Sequence, residues 1–167
     1  MSDARAYEYE HIVGFEDTNL VGNVYFVRYL SWQGRCRELF LRDHAPEIVD
    51  ELACDLRLVT THVSCDYFAE LRALDAVVVR MTLASISQGR VSMRFEYARG
   101  DELVARGAQE IACLREIAGA YVPVPVPEPL RAALMPFENV AVKTRGGSAT
   151  REKNFPGAAR TVRPVTS

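Results

Sequence analysis

The chain has 167 residues, 49% of them hydrophobic and 25% charged, with a formal net charge of −2. That length favours one domain with an ordinary core, and that charge gives no general argument for nucleic acid or an acidic membrane surface as a partner. The opening MSDARAYEYEHIV lacks a basic region followed by an apolar run, and no uncharged stretch approaches the roughly 18 to 20 residues of a spanning helix. A cytoplasmic protein without a membrane partner is therefore expected. Cys36, Cys54, Cys65 and Cys113 form no C-x-x-C pair and no cluster with histidine. Reduced, mostly buried thiols and no metal site follow as expectations.

In chain order, Ala6 to Phe15 alternates Tyr7, Tyr9, His11 and Val13 with Glu8, Glu10 and Ile12, the period of a strand. Glu16 to Asn23 is a polar loop. From Val24 to His44 there is no proline, and Phe26, Tyr29, Leu30, Gln33, Cys36, Leu39 and Phe40 recur at three- and four-residue spacing. This predicts a helix of about five turns. Val27, Trp32 and Leu41 add apolar groups on its other faces, so the helix should be largely enclosed. Pro46 to Ala53 predicts a second, short helix.

Four strands are expected next, over Leu56 to Phe68, Ala76 to Ser87, Val91 to Arg99 and Leu103 to Arg115. Gln88-Gly89 and Gly100-Asp101 are short turns between neighbouring runs and imply antiparallel hairpins. The order of strand, long helix and four strands places the chain in the α+β class. Val122 to Pro129 holds four prolines and must be extended or turning, not a central strand. Pro129 to Leu134 reads as a short terminal helix. From Lys143 onward the chain is rich in Gly, Ser, Pro and cations and poor in large apolar residues. The division expected is a domain over 1–142 and a mobile tail over 143–167.

Several catalytic motifs are absent: G-x-S-x-G, a Walker A loop, G-x-G-x-x-G after a strand, and H-E-x-x-H. His11, His44 and His62 do not adjoin a Ser or Cys in a recognisable nucleophile motif. The informative stretch is Gly14 to Glu38, GFEDTNLVGNVYFVRYLSWQGRCRE. It resembles the signature region of hotdog-fold acyl thioesterases of the 4-hydroxybenzoyl-CoA type. Glu16-Asp17-Thr18, Gly22, Tyr25, Tyr29-Leu30 and the Arg35/Arg37 pair carry the match. The catalytic carboxylate of that family falls on Asn19 here. With that departure, YEYEHIVGFEDTNLVGNVYFVRYLSWQGRCRELF looks like the thioesterases of enediyne polyketide biosynthesis.

The resemblance implies a single hotdog domain, a long central helix wrapped by a five-stranded antiparallel sheet. It implies a homo-oligomer, a dimer of dimers, with no organic cofactor and no metal. It also implies release of a conjugated polyene β-keto or β-hydroxy acid from the acyl carrier domain of an iterative polyketide synthase, with decarboxylation of the product as a possible sequel. The competing readings are a non-catalytic acyl-thioester binder and a hotdog dehydratase.

Asn19, Tyr29, Arg35 and Arg37 are the candidate catalytic residues. Val21, Gly22, Tyr25, Thr60 and His62 are the candidate substrate contacts. On the residues alone Asn19 is a turn former as readily as an oxyanion donor, since an amide cannot act as a base but can donate two hydrogen bonds. Tyr29 reads as core with its hydroxyl partnered, or as a site residue. Arg35 and Arg37 stand two apart, so they do not share a helix face, and the sequence does not choose between them. Asp17 could cap the helix, hold the loop or act as a base. Thr60, His62, Ser64 and Asp66 are expected on one polar face of their strand, either facing an edge or a partner subunit, or forming a hydrogen-bonding wall.

Overall fold

A computed structural model describes residues 5–139; the tail expected over 143–167 lies outside them. Among the described residues the elements run β1 (Tyr7–Ile12), α1 (Phe26–His44), α2 (Pro46–Ala53), β2 (Leu56–Tyr67), β3 (Ala76–Ile86), β4 (Arg90–Arg99), β5 (Glu102–Ile117), β6 (Ala120–Pro123) and α3 (Glu128–Leu134), with 3-10 turns at Phe15–Asp17 and Met135–Phe137. No described helix is long and apolar enough to cross a membrane.

The strands form one antiparallel sheet in the order β1-β3-β4-β5-β2, and β6 pairs with the far end of β5. Five strands were expected, and the sixth is a correction. Its hairpin turns through Ala118 and Gly119, both at positive φ (51° and 79°), as a two-residue reversal demands. The four-residue strand is too short to show a period, and it ends at Pro123, where the ring removes a ladder donor. The helical material is also divided among three segments rather than carried by a single long helix. Pro46 sits at the start of α2 and separates it from the 19-residue α1.

The core lies between α1 and one face of the sheet. Tyr29, Trp32, Cys36 and Phe40 are buried from the helix side; Val77, Val79, Met81 and Leu83 of β3 and Val91, Met93, Phe95 and Tyr97 of β4 are buried from the sheet side. The period of two in those strands sends Arg80, Thr82, Arg94 and Glu96 to the other face. Tyr97 donates its hydroxyl proton to the Tyr29 carbonyl at 2.6 Å inside this core. It satisfies a buried phenol without breaking the helix, since a carbonyl has two lone pairs.

β2 departs from the expected pattern. Its register on β5 shifts between Thr60 and His62, so that Thr60 pairs with Ile111 and His62 with Glu110. Directly paired residues share a face, so the bulge puts Thr60 on the helix side and His62, Ser64 and Asp66 on the other. The single polar face expected for Thr60, His62, Ser64 and Asp66 is corrected accordingly: one extra residue reverses every side chain beyond it.

Gly107 of β5 faces α1. A Cβ there would lie 2.0 Å from Gln33 Nε2 and 3.0 Å from the Ser64 carbonyl oxygen. We predict that Gly107→Ala lowers stability by roughly 1–3 kcal/mol through this overpacking. Urea titration with an unchanged midpoint would show that the helix yields freely here.

Candidate active site

The loop before α1 is organised around a buried carboxylate. Asp17, 5% exposed, accepts the Gly14 backbone N–H at 3.0 Å and faces His11 Nε2 at 3.0 Å through the same oxygen. Its other oxygen lies 3.5 Å from Arg28 Nε. A carboxylate can only accept, so His11 carries its proton on Nε2 and leaves Nδ1 to accept from the Tyr9 hydroxyl at 3.2 Å. Arg28 also reaches the Glu16 carbonyl, and the Asp17 carbonyl receives the Tyr25 N–H at 2.8 Å. Of its three sequence readings, Asp17 therefore takes that of a loop anchor.

Asn19 stands on the turn that this anchor supports, exposed to solvent. Its Oδ1 accepts the Val21 N–H at 3.0 Å. Its backbone N–H donates to Asn23 O, and its own carbonyl accepts the Gly22 N–H at 3.0 Å. The turn needs φ +84° at Gly22, which a residue without a Cβ takes freely. Because Val21 is a donor, the carbonyl end of the Asn19 amide must face it, and the Nδ2 amine is left pointing outward. Both readings of Asn19 are thus compatible: one end builds the turn and the other remains available to donate.

The other candidates divide between two places. Val21 (81% exposed) and Tyr25 (47%) accompany Asn19 on the loop and at the start of α1, where Tyr25 provides no side-chain cap. The Arg28 N–H returns to the Tyr25 carbonyl at 2.9 Å, which leaves the Phe26 and Val27 N–H groups to meet an anion. Arg37, eleven residues beyond Phe26, is about 16 Å further along the helix axis. There its Nη1 donates to Thr60 Oγ1 at 3.1 Å and to Gln109 Oε1 at 2.9 Å. Partial burial draws its pKa below the usual guanidinium value, though it stays charged.

Arg35, exposed, lies 3.6 Å from Glu38 and reaches the Tyr9 side chain of β1, so the helix geometry sets Arg37 and not Arg35 against β2 and β5. His62 faces away from α1, beside Glu110. Tyr29 is 3% exposed and packs against the rings of Trp32, Tyr67 and Tyr97; burial pushes its phenol up to about 12. Two site-side residues escaped the sequence reading. Gln109, 5% exposed, orients Arg37, and Gln33 lies one turn before it. The only hint was an amide on an otherwise apolar helix face.

No group of three or more His, Cys, Asp and Glu that could hold a metal occurs among the described residues. The thiols of Cys36 and Cys65 are pushed by burial up to about 12 and about 11, which keeps them protonated and weakly nucleophilic near neutral pH.

The anchor yields a prediction. Asp17→Ala leaves the Gly14 N–H, the His11 Nε2–H and the Arg28 guanidinium without their shared acceptor, and should cost about 2–3 kcal/mol. It should also raise amide exchange over residues 14–24, measurable by mass spectrometry; protection equal to wild type would show that the loop is held by other contacts.

The family model of the thioesterase-like superfamily matches residues 13–134. A solved structure of the dynemicin thioesterase, described for induced-fit and allosteric effects upon polyene binding, is 46% identical with a TM-score of 0.79, over 81% of this chain and 99% of that one. A 1,4-dihydroxy-2-naphthoyl-CoA thioesterase from Synechocystis is 25% identical with a TM-score of 0.68, over 78% of this chain and 96% of that one. The 1,4-dihydroxy-2-naphthoyl-CoA hydrolase of Microcystis aeruginosa is 24% identical over 118 residues, 70% of this chain and 86% of that protein. The curled antiparallel sheet, the helix N-terminus beside an Asx turn and these kinships agree: the chain belongs to the thioesterase-like superfamily of hotdog proteins and is a thioester hydrolase.

Proposed function

We propose that the enzyme hydrolyses the thioester of a long conjugated polyene acyl chain, β-keto or β-hydroxy, delivered on the acyl carrier domain of an iterative enediyne polyketide synthase. The observation that carries the chemistry is the Asn19 amide, turned so that Nδ2 points outward where the resembling family carries an acid. Kinship at 46% identity with the dynemicin thioesterase supports the substrate class. Attack of water on the thioester carbonyl builds negative charge on its oxygen. Asn19 Nδ2 and the free N–H groups at the start of α1 stabilise that charge, and Arg37 orients the carbonyl or the water. No general base is required of the protein if hydroxide or a weakly assisted water attacks, because thioesters are more reactive than amides.

Within one chain Asn19 and Arg37 belong to different ends of α1, so the site needs a second copy. Among the described residues β2 pairs only with β5 and leaves a 12-residue edge open. Val59, Val63, Tyr67 and Phe68 along it are exposed, a liability in a monomer. The Tyr67 hydroxyl ties one end of β2 to the first residue of α1, at 2.9 Å from the Phe26 carbonyl. Thr60, near the middle of the strand, lies beside Arg37. Antiparallel pairing of β2 with a second β2 about a two-fold axis between Thr60 and Tyr67 exchanges these two positions. It brings the Asn19 loop of one protomer toward Arg37 of the other, with α1 of each as the central helix of its hotdog. Two such dimers would form the tetramer.

Asn19→Ala should lower kcat about a hundred- to a thousand-fold with little loss of stability, and Asn19→Asp should not restore it, because an ionised carboxylate keeps the turn but donates nothing. Near wild-type turnover by Asn19→Ala would move the chemistry elsewhere. Co-refolding Asn19→Ala with Arg37→Ala should recover about a quarter of wild-type activity, since half the dimers then carry one intact site of two. No recovery would place both residues in the same protomer's site. Product analysis with carrier-bound polyene and with 1,4-dihydroxy-2-naphthoyl-CoA decides the substrate; turnover of the aryl thioester alone would overturn the polyene reading.

A further inference from the structure

α1 turns Tyr29, Gln33 and Arg37, at four-residue spacing, toward β2 and β5: Tyr29 against Tyr67, Gln33 against Ser64 and Gly107, Arg37 against Thr60 and Gln109. The layer between α1 and β2 is not closed. Thr60, Val63 and Tyr67 face the helix side yet stay exposed, so this row of side chains borders an open seam.

Gln33 is the exception in the row. It is 0% exposed, and its Oε1 has no hydrogen-bond partner among the described residues. The amide cannot be turned to relieve this. Nε2 donates to the Ser64 carbonyl at 3.0 Å, and a carbonyl only accepts, so the amine end must face it. Tyr97, which also hydrogen-bonds the Gln33 side chain, has already committed its one proton to the Tyr29 carbonyl at 2.6 Å. Gly107 leaves the space in which the amide sits; a Cβ there would stand 2.0 Å from Nε2. The fold therefore holds a buried acceptor in one orientation, one helical turn from Arg37, with the Tyr97 proton already spent. Buried acceptors of this kind are uncommon and are relieved by any donor that reaches them.

We propose that Gln33 Oε1 receives the hydroxyl proton of a β-hydroxyl group on the bound acyl chain, making Gln33 the residue that distinguishes a β-hydroxyacyl from a β-ketoacyl thioester. The proposal rests on the acyl-thioester reading above and sharpens it. Residues four apart on a helix face stand about 5–6 Å apart. A thioester carbonyl held at Arg37 places the oxygen on the β-carbon, two bonds further on, within reach of the neighbouring turn. An alcohol there donates to Oε1. A ketone offers only lone pairs, leaves the amide unmatched and sets two acceptors against each other. Beyond Gln33 the row continues into the rings of Tyr29, Tyr67 and Tyr97, of which the exposed Tyr67 ring offers a surface for a rigid conjugated chain.

The test uses three N-acetylcysteamine thioesters of matched chain length, carrying a hydroxyl, a ketone or no oxygen at the β-carbon. Wild-type enzyme should show kcat/KM about tenfold higher for the hydroxyl compound than for either other. In Gln33→Met, which keeps the volume and removes the acceptor, that ratio should collapse toward one. Equal kcat/KM for the three in wild type, or a preference that survives in Gln33→Met, overturns the proposal while leaving the acyl-thioester reading intact. The wild-type comparison needs no variant to fold. Hydrolysis of none of the three overturns the acyl-thioester reading and this inference with it.

Discussion

The site depends on how α1 lies against the inner face of the sheet. A helix buried along much of one side must place its polar groups where the sheet can answer them, and the hydrogen bond from Tyr97 to the Tyr29 carbonyl is the tie that fixes its rotation and its height. With α1 set there, Arg37 meets Thr60 and Gln109, Arg35 is left outside, and the free N-terminus of the helix arrives beside the Asn19 turn. Dispersion and apolar burial hold the layers together but have no preferred rotation. The few directional contacts decide which residues face the seam.

Electrostatics follow from the same arrangement. The one buried carboxylate near the loop, Asp17, is committed to a backbone N–H, the His11 ring N–H and Arg28, so it shapes the loop without competing as a base. The thiols nearest the aromatic row are held protonated by burial. The site proposed above is consequently dominated by donors: an amide, backbone N–H groups and a guanidinium. Such a set favours an oxyanion over a neutral carbonyl, the differential that hydrolysis requires.

Much of this was legible in the sequence, for identifiable reasons. The alternation of Val91, Met93, Phe95 and Tyr97 and the spacing of Tyr29, Cys36 and Phe40 set strand and helix faces that the structure keeps. The Asn19 turn was legible because D-T-N-L-V-G is local chemistry. What escaped was non-local. The bulge at Thr60/His62 arises from pairing with β5 and separates Thr60 from His62, which a period of two had placed together. The choice of Arg37 over Arg35 needed the rotation of α1. β6 was hidden in a proline-rich stretch too short to show a period. The Gln33 acceptor could not be inferred at all, since an unmatched atom is defined by what its neighbours have already given away.

The Asx turn at Asn19 bears on how such enzymes diversify. The turn uses only the side-chain carbonyl oxygen, which Asp supplies as well as Asn. The outward-facing atom is therefore the one part of the residue that the backbone does not need. A lineage can exchange acid for amide at this position by a single substitution, with the loop, the helix start and the anchor beneath them unaltered. On the mechanism proposed above, two different ways of breaking a thioester lie one mutational step apart on the same scaffold, with the fold needed by both already in place.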